Sequence, residues 1–274
     1  MSDTTRTERF LLIRTLFKQR ALIGVLVGRD LNARYRGTFF GYLWSLFNPL
    51  LLLGVYWAVF TLVIPARVDV PVPFPLFLFA GLLPWMFASG SLLDAAIVLP
   101  DNGPLLKKVV CPPEVFPTVK VLAHLVHHAL ALPVLLAGIV VAVSTGHMAV
   151  PWTVFLIPVA LVPWVVAIEG LSLAIAALAV HFRDLKDLLQ NGLNLLFFLT
   201  PIIYVPEIIR SAPLRRLVLL NPVTPLVTLY RDVAIFGRIS DLDTWGWAFL
   251  VAVVCWIGGA AIFMRLRETL AEAV

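Results

Sequence analysis

Between Arg36 and Arg67 the chain carries no Asp, Glu, Lys, Arg or His. A helix of about 20 mostly apolar residues crosses about 30 Å of hydrocarbon at about 1.5 Å per residue, so this run is long enough to span a membrane with tilt. Arg29, Arg34 and Arg36 stand just before it, and basic residues beside a span are retained on the cytoplasmic side. The run is also aromatic, with Tyr42, Trp44, Phe47, Tyr56 and Trp57 among its rings. Two readings of those rings stand. They are aromatic belts at the two interfaces, or they line a passage for sugars, whose C–H faces stack on rings.

Composition places the rest of the chain in the same class. Of 274 residues, 61% are apolar and 14% charged, and the mean hydropathy is +0.96, which describes a polytopic membrane protein. The net charge of +5 does not point to nucleic acid, because the basic residues flank apolar runs where topology and anionic lipid account for them. Cys111 and Cys255 lie far apart and imply no disulfide framework. The first apolar run is interrupted by Arg14, Lys18 and Arg20, so no signal peptide is expected there.

Taken in order, residues 8–28 read as an amphipathic helix in the cytoplasmic interface, with Phe10, Ile13, Phe17, Ala21 and Gly24 on one face. Spans are expected at 38–64, 73–98, 118–143, 151–180, 188–205 and 244–264. Pro and Gly bracket a short piece within 100–117 that carries Lys107 and Lys108, a rigid cytoplasmic loop too elaborate for a mere connection. Residues 206–243 are apolar but broken by Pro213, Pro222 and Pro225. They read as two short re-entrant helices, since broken backbone at membrane depth must be packed in protein or line a cavity. Six spans put both termini in the cytoplasm, and most of the 21 Lys and Arg then fall inside. Arg210, Arg215, Arg216, Arg231 and Arg238 depart from that bias. An anion outside is the expected reason, either bulk lipid or a substrate phosphate, for which arginine's planar fork is suited. Arg210 and Arg231 flank the broken stretch and are the pair best placed for it.

No glycine is followed by lysine, so the chain lacks the usual phosphate cradle and is not expected to hydrolyse nucleotide. His124, His127 and His128 share a helical face. Their spacing resembles a metal site, but a packed or pore-facing polar patch is the stronger reading, and no metal is expected. Glu169 is the only carboxylate well inside a span, and such a residue seeks a partner. Helix lengths counted from the cytoplasmic ends put His127 and His128 at its depth, so one of them is expected to hold it.

The segments RDLNARYRGTFFGYLWSLFNPL, LLKKVVCPPEVFP, HFRDLKDLLQNGLNLLFFLTPIIY and LNPVTPLVTLYRD together resemble the membrane subunit of ABC-type exporters of lipid-linked O-antigen, teichoic acid and related polysaccharides. The resemblance covers about residues 8 to 267. It implies an all-α membrane protein of six transmembrane helices, with an N-terminal amphipathic interface helix, a cytoplasmic coupling helix at 101–115 and outer re-entrant helices at 206–231, all in a single permease domain of 1–274. It implies a homodimer in the inner (plasma) membrane, working with two copies of a separate ATP-binding subunit that holds ATP and magnesium. This chain would then hold no cofactor and make no covalent bond. The implied ATPase contact comprises Asp101, Leu105, Leu106, Lys107, Lys108 and Glu114. Tyr42, Trp44, Phe47, Tyr56 and Trp57 would line the path, and Arg34, Arg36, Arg210 and Arg231 would meet the diphosphate or lipid. CPPE stands where F-P-R-E is commoner, which removes a basic residue from the coupling loop. Two other classes remain open: a small-molecule ABC exporter of the same superfamily, and a proton-coupled carrier built on Glu169 and the histidines.

Overall fold

The computed structural model describes residues 12–37, 41–59, 62, 71–103 and 111–273. Among them there is helix, turn and irregular backbone but no strand. Residues 12–18 are helical, and after a turn at Gln19 come α1 (Arg20–Tyr35), α2 (Trp44–Ala58), α3 (Phe74–Asp101), α4 (Val115–Ser144) and α5 (Ile157–His181). Then follow α6 (Leu185–Leu199), α7 (Ala212–Leu220), α8 (Val223–Ala234) and α9 (Leu242–Ala273).

Four helical stretches are long and apolar enough to cross a membrane: Phe74–Asp101, Val115–Ser144, Trp152–His181 and Leu242–Leu270. They match the spans expected at 73–98, 118–143, 151–180 and 244–264. The first expected span falls partly outside the described residues, which contain its central part as α2. The fifth, drawn to residue 205, is helical only through Leu199, because the Thr200-Pro201 step removes a backbone donor and stops the helix. The interface helix also differs from its 8–28 bounds. It is broken at Gln19 and continues to Tyr35, since nothing in RDLNARY interrupts helix before Gly37, whose φ is 78°.

α3 is the centre of the bundle. In its most apolar window 78% of residues are buried, against 28% in α4 and α9 and 44% in α5. The other long helices therefore keep wide apolar faces open, as Leu136, Val140 and Val141 do on α4 and Phe249, Leu250 and Val253 on α9. Such faces suit lipid or another protein rather than water. α5 and α9 make the closest crossing. A Cβ on Gly170 would collide with the backbone of Cys255 and Trp256, and one on Gly259 with the Gly170 carbonyl. Small residues that let backbones touch are how apolar helices gain contact where lipid offers no hydrophobic drive.

Helix α8 packs into the apolar core through Leu226, Val227, Leu229, Tyr230 and Val233, and its neighbours also hydrogen-bond to it. Trp164 of α5 donates its indole N–H to the Leu226 carbonyl at 3.1 Å, and the Thr153 hydroxyl donates to the Val233 carbonyl at 2.7 Å. The Pro222 break before it is also closed, because Asn221 caps the Val223 N–H and donates to Thr200 at 2.9 Å. The two breaks, at Thr200-Pro201 and Asn221-Pro222, are thus stitched to each other.

Candidate functional site: a cationic cavity beside the central helix

The face of α3 that carries Leu83, Met86, Phe87, Gly90 and Leu93 forms one wall of a cavity of about 560 Å³. α4 supplies His124, His127 and His128, α2 supplies Trp44 and Pro49, and α1 supplies Arg34. Trp44 and Phe47 meet edge to face with ring centres 6.0 Å apart, and both are exposed. A second hollow of about 390 Å³ adjoins, sharing Met86 and Ser89 and lined by Trp85, Asn194, Phe197 and Phe198. The two together make an aromatic, mostly apolar groove along α3.

Charge is concentrated at one end of that groove. Arg34 Nη2 lies 2.5 Å from Asp94 Oδ2 and 3.7 Å from Asp30. The same Asp94 oxygen is 3.0 Å from His124 Nε2. Lys120 closes the set with a 2.5 Å contact to Asp30. Sequence spacing explains the cluster. Asp30 and Arg34 stand at i, i+4 on α1, and Lys120 and His124 at i, i+4 on α4, so the two helices present facing pairs. Below them Ile23 packs on Val115 and Val119, fixing α1 against α4. Gly90 leaves room for the His124 ring, which a Cβ there would strike.

His128 belongs to a different network. It is buried, takes the Tyr230 hydroxyl at 3.2 Å and lies 3.4 Å from the Leu83 carbonyl. Glu169 was expected to find His127 or His128 and instead accepts a hydrogen bond from Thr118 at 2.5 Å. Depth counting failed because it assumed that α4 and α5 end in one plane. The contact sets Glu169 level with the first turn of α4, so α5 runs about 13 Å further toward its His181 end at about 1.5 Å per residue.

The chain matches the ABC-2 type transporter model over residues 21–235. It is 38% identical over 264 residues to the O-antigen export system permease protein RfbA of Myxococcus xanthus, which covers 96% of this chain and 99% of that relative. A protein of the same name from Klebsiella pneumoniae is 30% identical over 251 residues, covering 92% and 94%. This chain belongs to the ABC-2 type transporter membrane family. Subunits of this family are transport components, not catalysts, and normally pair with an ATP-binding subunit in a membrane.

In this permease the residues singled out by sequence fall into three groups. Arg34 and Trp44 line the cavity, and Phe47 stands beside Trp44. The helix positions of Tyr42, Tyr56 and Trp57 are described but their side chains are not. Leu105, Leu106, Lys107 and Lys108 lie outside the described residues, while Asp101 is exposed at the end of α3. Arg36 and Arg210 are exposed.

Two placements correct the expectation. Arg231 does not face an outer anion. It is 5% exposed, its guanidinium donates to the Pro201 and Ile202 carbonyls, and it stacks 3.7 Å above the Phe77 ring. The break at Pro201 frees those carbonyls, and a buried arginine satisfies them. Glu114, expected in the ATPase contact, is 1% exposed and reaches inward to Arg267 of α9 at 3.3 Å. Beside it, burial pushes the Cys111 thiol up from its ordinary value, and the Glu114 carboxylate adds to the rise.

Sequence reasoning also missed residues. Asp94, Trp85, Phe197 and Phe198 fall within runs expected to span, and the sequence alone assigns them no role. Trp85, Phe197 and Phe198 line the second hollow with Asn194, whereas Asp94 is placed by its contacts with Arg34 and His124.

Proposed function

We propose that this permease exports a lipid-linked polysaccharide of O-antigen type across the inner membrane, as a homodimer driven by two copies of an ATP-binding subunit. The observation that carries the reading is near full-length similarity to O-antigen export permeases in a chain whose main cavity joins a cation to aromatic walls. In this reading six helices span, both termini are cytoplasmic, and α2 and α6 are the first and fifth crossings. α6 covers only about 22 Å at about 1.5 Å per residue, so the irregular segment that follows completes the crossing while packed in protein.

The mechanism follows from these residues. ATP closes the partner subunits, and segment 101–115 together with the interface helix passes that movement to the bundle. The lipid diphosphate enters at the charged end of the cavity, where Arg34 meets it and the exposed Arg36 adds to the field. Sugars then slide past Trp44, Phe47 and the rings of the adjoining hollow, with Arg210 near the exit of α7 and α8. Glu169 and the histidines hold helices together and transfer no proton.

The test is complementation. Expression with an ABC ATP-binding subunit of this class in cells lacking their own O-antigen exporter should return polysaccharide to the surface. Persistent build-up of lipid-linked glycan inside, with small-molecule efflux restored, would overturn the polysaccharide reading in favour of a small-molecule exporter.

A further inference from the structure

The charged end of the cavity has a composition that a simple anion site would not have. Its cation, Arg34, already holds a carboxylate. Arg34 Nη2 is the atom in contact with both Asp94 and Asp30, at 2.5 and 3.7 Å, a one-nitrogen contact rather than the two-nitrogen fork that arginine offers to phosphate. The Arg34 side chain is 36% exposed, against 23% for Asp94, 18% for Asp30 and 12% for His124. It is the most accessible member of the cluster, and it borders the cavity together with His124.

Each carboxylate also has a second partner. Asp30 is held by Lys120 at 2.5 Å, and Asp94 by His124 at 3.0 Å. If Arg34 leaves, neither acid is stranded. Gly90 leaves room for the His124 ring where it meets Asp94, and that contact does not depend on Arg34. A cation held through one nitrogen, beside an acid with a substitute partner, can change partners without leaving a buried charge alone.

We propose that Asp94 is an internal anion that occupies Arg34 until a phosphate-bearing headgroup enters the cavity and displaces it. The displaced Asp94 stays on His124, and Arg34 turns its planar fork to the phosphate. Asp94 thereby sets a threshold. A headgroup that competes poorly with the carboxylate is rejected, and a diphosphate, with more charge and more acceptor oxygens, is preferred to a monophosphate. This inference rests on the lipid-diphosphate reading given above.

The experiment measures binding of farnesyl diphosphate and farnesyl monophosphate to full-length permease in phosphatidylcholine nanodiscs. Asp94→Asn should bind the diphosphate about tenfold more tightly than wild type, and Arg34→Gln about tenfold more weakly. The double variant should match Arg34→Gln, because Asp94 acts only through Arg34. Asp94→Asn should also narrow the preference for diphosphate over monophosphate. A merely structural Asp94 would lower the melting temperature in Asp94→Asn and leave these binding constants alone, which overturns the proposal. If wild type and Asp94→Asn bind equally while Arg34→Gln does not bind, the substrate reading stands and only the counter-anion role falls. If no variant binds diphosphate, both fall. Adding phosphatidylglycerol separates the two sources of phosphate. Displacement of the diphosphate by phosphatidylglycerol in wild type that is lost in Arg34→Gln would assign Arg34 to bulk lipid and also overturn the proposal.

Discussion

Arg34 and Arg231 are the same side chain in two opposite settings along one helix. Arg231 lies against Gly81 and over Phe77 of α3, whereas Arg34 meets Asp94 of the same helix, about 20 Å further on at about 1.5 Å per residue. Arg231 is 5% exposed, donates to two backbone carbonyls and lies over a ring. Arg34 borders a cavity, shares acids with Lys120 and His124, and is partly exposed. The difference teaches that charge alone does not mark a ligand site. What marks it is a cation whose present partners have somewhere else to go.

The largest expected effect lies at Arg231. Arg231→Gln leaves two buried carbonyls short of donors and should cost about 3 kcal/mol or more. Arg231→Lys should recover only part, since an ammonium lacks the fork and the stacking plane. Thermal unfolding in detergent reads this directly, and an unchanged melting temperature would end the structural assignment. Next comes a matched pair on α3, where a Cβ at Gly81 would meet the Arg231 guanidinium and one at Gly90 the His124 ring. Gly81→Ala should cost about 1–3 kcal/mol because Arg231 cannot move aside. Gly90→Ala should cost less, since the His124 ring has the cavity to turn into. Equal losses would erase the contrast between the two ends.

Asn221→Ala removes both the cap on Val223 and the link to Thr200, and should destabilise by about 1 kcal/mol. Its signature is loosening of α8, read as faster hydrogen exchange there with the α1–α4 contact unaffected. The smallest effect belongs to Lys120→Gln, whose pair with Asp30 is partly exposed. That loss should stay below about 1 kcal/mol and shrink further in high salt. A loss as large as that of Arg231→Gln would mean that the cavity cluster is a structural clamp after all.

The long uncharged runs were legible because hydrocarbon thickness and helix rise leave few alternatives, and four helices long and apolar enough to cross a membrane overlap the expected runs. The break in 206–243 was legible from its prolines, and α7 and α8 are the two short helices it implied. What could not be read was partnership across distance. Arg34 and Asp94 are 60 positions apart and Trp164 and Leu226 are 62, and no local pattern announces either contact. Arg231 was misassigned because the positive-inside rule counts charge and not carbonyls. The donors that Pro201 and its neighbours need are visible only once α8 is seen to lie over them. Glu169 was misassigned because residue counting gives depth along one helix, not the offset between two.

The most direct measurement is export of a diphosphate-linked glycan per folded permease in Arg34→Gln. The expected result is a fall of about tenfold in export with the folded amount and melting temperature close to wild type, in contrast to Arg231→Gln, which should lose folded protein first. Arg34→Gln permease that is equally abundant and exports at the full rate would contradict the cavity's role as the entry site for the substrate phosphate.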